Sequence, residues 1–300
     1  MRAGAELRPQ QVPSDQVAIS KGSRRVSVHD PESGQRSFLC RVLTEAAQRI
    51  GADMAGAPSY GWRDRTIGAP VTTSGERRWL RATAEHEDWA DSEEWTGNAD
   101  AVQVTGVPKP TVLDRVEWDE PPVRIYAELM TYIPDRPVSP TPDLRAPLDV
   151  PVQWWTDLRA AIDALAKNTT ERGTDHAGRY TPTLRVFFGA RADHLTPTWT
   201  TEHMDLHWAN LTVPNLWVLD WEHWGRAPAG YGAASLYCHS LLVPDAARQI
   251  HDVFADLLDS EAGTYAQLCV IGHLLRRIDR GDDSDPAIPL HEHADRLLNR

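Results

Sequence analysis

The densest chemistry in the chain lies between His203 and Gly225, where three histidines, three carboxylates and two asparagines sit among four tryptophans. Asp205 is followed five positions later by Asn210, and a mostly apolar run then ends at Asp220, two residues before Glu222. A carboxylate and an amide oxygen are hard donors of the kind Mg²⁺ prefers, and Mg²⁺ needs few protein ligands when phosphates supply the others. An Asp held on a short loop can accept or orient the proton of an attacking hydroxyl. Phosphoryl transfer asks for positioning and charge neutralisation, so no activated Ser or Cys is required. On these residues alone, Asp205 reads as the base and Asn210 and Asp220 as Mg²⁺ ligands beneath nucleotide phosphates.

Two other readings compete. His203 and His207 are four apart and would share a helix face, as in zinc hydrolases. Met204 stands where the glutamate of that motif belongs, and the run has no helical amphipathicity, so zinc is the minor alternative. Trp208, Trp217, Trp221 and Trp224 individually read as core aromatics. Packing alone does not account for the spacing of Asp205, Asn210 and Asp220.

The run HMDLHWAN at 203–210, followed by VLDWE at 218–222, resembles the H-G-D-x-H-x-x-N … x-I-D-W-E signature of the aminoglycoside phosphotransferase-like kinases. That family includes choline, macrolide and fructosamine kinases and shares the protein-kinase fold. The resemblance implies a transfer of the γ-phosphate of ATP or GTP to a hydroxyl of a small molecule. It also implies Asp205 as catalytic base, Asn210 and Asp220 as Mg²⁺ ligands, and His203 and His207 in supporting structural roles. Glu222 would assist in the metal or substrate shell. In the N-terminal part, Arg81 falls where the family has a strand Lys or Arg on the α- and β-phosphates, with Glu85, Glu93 or Glu94 as its ion-pair partner. Ser59 and Gly61 fall in the phosphate-covering hairpin, and the backbone of Thr131 and Ile133 in the hinge that pairs with the base. Two positions depart from the pattern. Met204 replaces a small Gly in the catalytic loop, and Gly232 stands where an Asp normally braces that loop. Both departures support an alternative, a weak or inactive nucleotide-binding pseudokinase acting through partners.

These residues need elements to position them. The segment from Phe38 has Leu39, Val42, Leu43, Ala46, Ala47 and Ile50 on one helical face, with Gly51 as a stop. Short β-prone pieces follow, with a hairpin turn at TTSGERR and the strand RRWLRAT carrying Arg81. A partly helical acidic stretch leads to two more strands separated by DEPP. Residues 134–151 hold six prolines and mark a crossing between lobes. Beyond it, Trp154, Leu158, Ile162 and Leu165 make a core-facing helical stripe, NLWVLDWE reads as a buried strand, and three further helical patterns complete the chain. His291 and His293 in the tail read as solvated. The expectation is an α+β bilobal protein-kinase-like fold: a flexible extension over 1–37, a β-rich nucleotide-binding lobe over 38–133, and a mostly α-helical catalytic and acceptor-binding lobe over 134–300.

Composition narrows the partners. The 300 residues are 41% apolar with a formal charge of −12, enough to bury a core and opposed to unspecific binding of nucleic acid or anionic membrane. Cys40, Cys238 and Cys269 form no CxxC pair, which suits reduced thiols in the cytoplasm. No apolar run approaches the ~18 residues of a membrane span, and no secretory leader is evident at the start.

Overall fold

The computed structural model describes residues 31–90, 92–174 and 177–299. The first thirty residues of the expected extension therefore lie outside the described residues. The rest of it, from Pro31, is already helical, because α1 runs from Pro31 to Ile50, seven residues earlier than its apolar stripe indicates. Gly51, with φ +73°, ends it in the left-handed region that glycine adopts without penalty.

Six strands build one antiparallel sheet: β1 (Asp53–Met54), β2 (Ser59–Tyr60), β3 (Thr66–Thr73), β4 (Glu76–His86), β5 (Val112–Glu120) and β6 (Val123–Thr131). The order is β1-β3-β4-β6-β5, with β2 also on β3. Ser74 and Gly75 connect β3 to β4, both at positive φ, as a two-residue hairpin with the right twist demands. Strand alternation divides the side chains. Leu80 and Ala82 of β4 and Ile125, Ala127 and Leu129 of β6 pack under Leu39, Leu43 and Ala46 of α1. Arg81, Thr83, Tyr126 and Glu128 have the opposite parity and face away from α1, and Arg81 stands directly across from Glu128. The helix α2 (Glu93–Asp100) lies between β4 and β5 in sequence.

The proline-rich crossing is docked along its length. Its strand β7 (Arg136–Pro137) pairs with β9 (Thr212–Val213), and Val138 and Ser139 donate backbone hydrogen bonds to Leu211 and Trp208. Helices α3 (Val152–Lys167), α4 (Ala177–Phe188), α5 (Tyr231–Cys238), α6 (Pro244–Leu258), α7 (Glu261–Asp279) and α8 (Ala287–Leu298) form the second part around one large core. A ribbon of β8 (Trp199–His203) and β10 (Trp224–Pro228) runs through it. The architecture is thus bilobal and α+β.

Two expectations need correction, and α4 is an addition to them. NLWVLDWE is no continuous strand; a turn follows β9, and one bridge between Leu211 and Val218 closes it. The chain must reverse there to bring Asp220 back beside Asn210. The helix α4 had no sequence signal, because Pro182 and its polar start obscure the stripe that buries Leu184 and Phe188. His293 is buried rather than solvated, with Nε2 at 2.8 Å from Gln267 Oε1. Among the described residues, no helix is long and apolar enough to cross a membrane.

Candidate active site

The loop over 203–210 is held from behind by aromatic residues. Trp208 is fully buried, stacks on Trp154 and donates its indole N–H to Ser240 Oγ at 3.0 Å. Trp221 and Trp224 are buried with their N–H groups on Val218 and Gly97 carbonyls. Buried indoles need such partners, so the core reading of these three tryptophans stands. His203 ends β8 and donates from Nε2 to the Leu219 carbonyl at 3.1 Å, tying the first half of the motif to the second. Burial holds its pKa down at about 4, so the ring is neutral near pH 7. His203 and His207 do not share a helix face. Among the described residues no group of three or more His, Cys, Asp or Glu is placed to hold a metal.

Asn210 donates Nδ2 to the Asp205 carbonyl at 2.9 Å, fixing the loop and leaving its amide oxygen as the atom for a hard cation. His207 Nε2 lies 3.6 Å from Asp205 Oδ2. Burial alone would raise the Asp205 pKa, but the His207 imidazole outweighs it and holds the carboxyl far below the usual carboxylate range. The group is ionised and its side chain is 30% exposed, so solvent or a ligand can reach the carboxylate.

Asp220 sits at φ +57°, an unusual conformation that Asp tolerates better than most residues. Its Oδ1 is buried with no hydrogen-bond partner. Burial, then the neighbouring Glu222 carboxylate, raises its pKa. The Leu219 N–H bonds the Asn210 carbonyl at 2.8 Å, so the two halves of the motif meet here, and a buried carboxylate oxygen with no hydrogen bond fits a hard, oxygen-seeking cation.

Arg81 reaches this loop from the sheet. Its Nη2 pairs with Glu222 Oε1 and lies 3.7 Å from Asp220 Oδ1, while Nη1 donates to Thr83 Oγ1 at 3.2 Å. Burial would lower its pKa, yet Glu222, Asp220 and Glu128 together push it above the ordinary arginine value. The expected partners are engaged elsewhere. Glu85 holds Arg65 at 2.5 Å, Glu93 accepts the Gly173 N–H at 2.8 Å, and Glu94 is 3.7 Å from His223. The reason is the packing of α2. A Cβ on Gly97 would stand 2.5 Å from the Trp221 and Glu222 carbonyls, so the helix backbone lies directly on that segment. Asn98 then donates to Glu128 at 2.9 Å and accepts the Trp221 N–H at 2.8 Å. Glu222 is thereby the carboxylate that meets Arg81.

The other nucleotide-side positions are more peripheral. Ser59 is exposed on β2, its Oγ 3.4 Å from the Gly68 carbonyl. Gly61 opens the β2–β3 turn, where a Cβ would sit 2.2 Å from Thr66 Oγ1, so a side chain there requires the Thr66 hydroxyl to turn away. Thr131 donates its N–H to the Thr111 carbonyl at 3.0 Å, which engages that amide. Ile133 lies just past the end of β6.

Sequence reasoning missed the reach of the β2–β3 turn. Trp62 lies between the guanidinium groups of Arg63 and Arg277, 4.5 and 4.9 Å from its ring centre. Arg63 also donates to Asp282 at 2.7 Å and to the Arg280 carbonyl at 3.1 Å, and Arg277 donates to the same Asp282 at 2.7 Å. The turn that would cover phosphates is thus latched to the end of α7 in the other lobe. Arg65, whose pKa is raised by Glu222 and Glu85 against burial, is a second cation beside the site.

The departures from the motif are absorbed. Met204 needs no left-handed backbone; its N–H bonds the His223 carbonyl at 2.8 Å and its sulfur meets the Tyr180 hydroxyl at 3.5 Å. Gly232 donates its N–H to the buried carboxylate of Glu202 at 3.0 Å.

No protein-family profile matches the chain, and no curated protein matches it by sequence. Solved structures do match in shape. A thermostable mutant of aminoglycoside phosphotransferase APH(4)-Ia superposes with a TM-score of 0.58 at 14% identity, covering 84% of this chain and 97% of that one. APH(4)-Ia itself gives 0.57 at 15% identity, covering 89% and 98%. With its antiparallel sheet, its docked crossing and its helical second lobe, the chain has the protein-kinase-like fold of the aminoglycoside phosphotransferases.

Proposed function

We propose that the protein is a phosphotransferase that moves the γ-phosphate of ATP or GTP to a hydroxyl of a small molecule. The observation that carries this reading is the buried Oδ1 of Asp220, which has no hydrogen-bond partner and faces Arg81 at 3.7 Å, next to one hydrogen-bonded loop that holds Asp205 and Asn210. Asn210 and Asp220 would hold Mg²⁺, which when bound supplies charge neutralisation to the transferring phosphoryl group. Asp205, ionised and open to the cleft, orients the acceptor hydroxyl and takes its proton. Arg81 swings between Glu222 and the nucleotide phosphates, with Arg65 adding positive charge nearby. The β2–β3 turn shields the phosphates from water, and the carbonyl of Thr131 with the backbone of Ile133 meets the base. The acceptor lies against the helical lobe. A net charge of −12 favours a neutral or cationic acceptor over nucleic acid or membrane, and suits a cytoplasmic enzyme.

A second reading, nucleotide binding without turnover, draws on the engagement of Arg81 by Glu222. One experiment separates the two. Thermal melting with Mg²⁺-ATP or Mg²⁺-GTP at ~100 times the dissociation constant should give about 2.7 kcal/mol of stabilisation. That shift should vanish in Asp220→Ala. It should persist in Asp205→Ala while phosphoryl transfer falls by roughly 10²–10⁴-fold. No magnesium-dependent shift in the parent protein removes the kinase reading. A shift without transfer to any of a panel of hydroxyl acceptors leaves the second one.

A further inference from the structure

Glu202 is a fully enclosed carboxylate that the proposed chemistry does not use. It lies on β8, one residue before His203 and three before Asp205. Its Oε1 accepts the Gly230 N–H at 2.8 Å and the Thr200 hydroxyl at 2.9 Å, and its Oε2 accepts the Gly232 N–H at 3.0 Å. Isolated carboxylates are costly to bury, and this one is compensated almost entirely by amides at the start of α5. Burial raises its pKa, and the Gly232 and Gly230 amides oppose that rise.

Gly232 explains why the carboxylate sits there. A Cβ built on it would be 3.1 Å from Leu206 Cδ2 and 3.3 Å from Glu202 Oε2. The residues on either side of the His203–Asp205 turn therefore converge on a single glycine. Its φ is not in the left-handed region, so backbone conformation does not demand glycine; the space is already filled. Leu206 is buried over the same spot, and the His203 ring carries the contact onward to Leu219, next to Asp220.

We infer that Glu202 is a positioning residue: its hydrogen bonds to Gly230 and Gly232 pin the turn bearing Asp205 against the start of α5, from the strand side. The brace thus comes from β8 rather than from α5. Its catalytic consequence rests on the phosphotransferase reading; its structural consequence does not.

The test compares the parent chain with Glu202→Gln, Glu202→Thr and the reciprocal pair Glu202→Thr/Gly232→Asp. Hydrogen exchange of peptides covering 203–210 and steady-state hydrolysis of Mg²⁺-ATP are both measured, with circular dichroism to confirm folding. Glu202→Gln should exchange at least tenfold faster in that segment. Its kcat should fall at least tenfold, with KM for Mg²⁺-ATP within twofold. The reciprocal pair should recover at least fivefold of the kcat lost in Glu202→Thr, because the restored carboxylate now comes from α5. Exchange within twofold of the parent, or equal losses in affinity and turnover with no recovery, would overturn the inference. A parent chain that neither binds nor hydrolyses Mg²⁺-nucleotide counts against the phosphotransferase reading instead, and the exchange result still decides whether Glu202 braces the turn.

Discussion

Arg81 on the sheet and Glu222, two residues past Asp220, form an ion pair whose side chains are only 14% and 10% exposed. This pair links β4 to the segment that carries the candidate metal ligand. Removing one partner of a buried pair leaves the other charge uncompensated, at about 3–5 kcal/mol. Arg81→Ala should therefore lower the denaturation midpoint sharply and weaken Mg²⁺-ATP binding at least tenfold. Arg81→Met/Glu222→Gln should recover most of the stability and none of the affinity. Chemical denaturation and calorimetric titration of the three variants check both halves.

The latch around Trp62 predicts a different pattern. Arg63 is 49% exposed, Arg277 24% and Asp282 17%, and ion pairs that water reaches contribute only about 0–1 kcal/mol each. Trp62→Ala and Asp282→Asn should leave the melting midpoint nearly unchanged. They should, however, speed exchange of amides 59–66 and the release of a fluorescent nucleotide severalfold, since the turn loses its hold on α7. Stopped-flow displacement measures the release.

Acid should destabilise the fold from well above the carboxylate range. His203 has a folded pKa of about 4, below the ordinary histidine value of 6.5, because burial disfavours its charged form. The unfolded chain binds the proton more readily, so the stability tied to neutral His203 is present above pH 6.5 and is lost as pH falls toward 4. The slope from one such group is at most about 1.4 kcal/mol per pH unit. Asp205, depressed beside His207, adds loss in the same direction at lower pH. Denaturation midpoints measured from pH 8 to 4 should fall, and His203→Gln should flatten the upper part of that fall by about one proton.

Gly97 should tolerate no side chain. A methyl there would meet two carbonyl oxygens at 2.5 Å, which are backbone atoms and cannot rotate aside. Gly97→Ala, favourable for helix propensity by about 1 kcal/mol, should instead destabilise by about 1–3 kcal/mol through overpacking. It should also weaken Mg²⁺-nucleotide binding, because α2 pushes on the segment that follows Asp220. Denaturation and nucleotide titration of this single variant test the point.

Much of this was open to a reader of the chain alone. The spacing Asp205, Asn210, Asp220 records a loop and a return, and the structure closes that loop with a hydrogen bond from Asn210 to the Asp205 carbonyl. The two-residue period that buries Leu80 and Ala82 also turns Arg81 to the opposite face. The helical stripe at Trp154, Leu158, Ile162 and Leu165 is buried as its period requires.

Residue identity and local period thus determined the α+β class and the helices with clean stripes, and they single out the three residues of the proposed chemistry, because each is a short-range property. Only the tertiary structure decided which carboxylate meets Arg81, since Glu85, Glu93, Glu94 and Glu222 are equivalent until α2 packs through Gly97 onto the Trp221–Glu222 backbone. It alone decided that Trp62 reaches Arg277 more than two hundred residues away, and that Glu202 fills the space left by Gly232. The physical reason is the same in each case. An ion pair or a buried hydrogen bond depends on distance and exclusion of water, and neither is written in the spacing of residues along the chain.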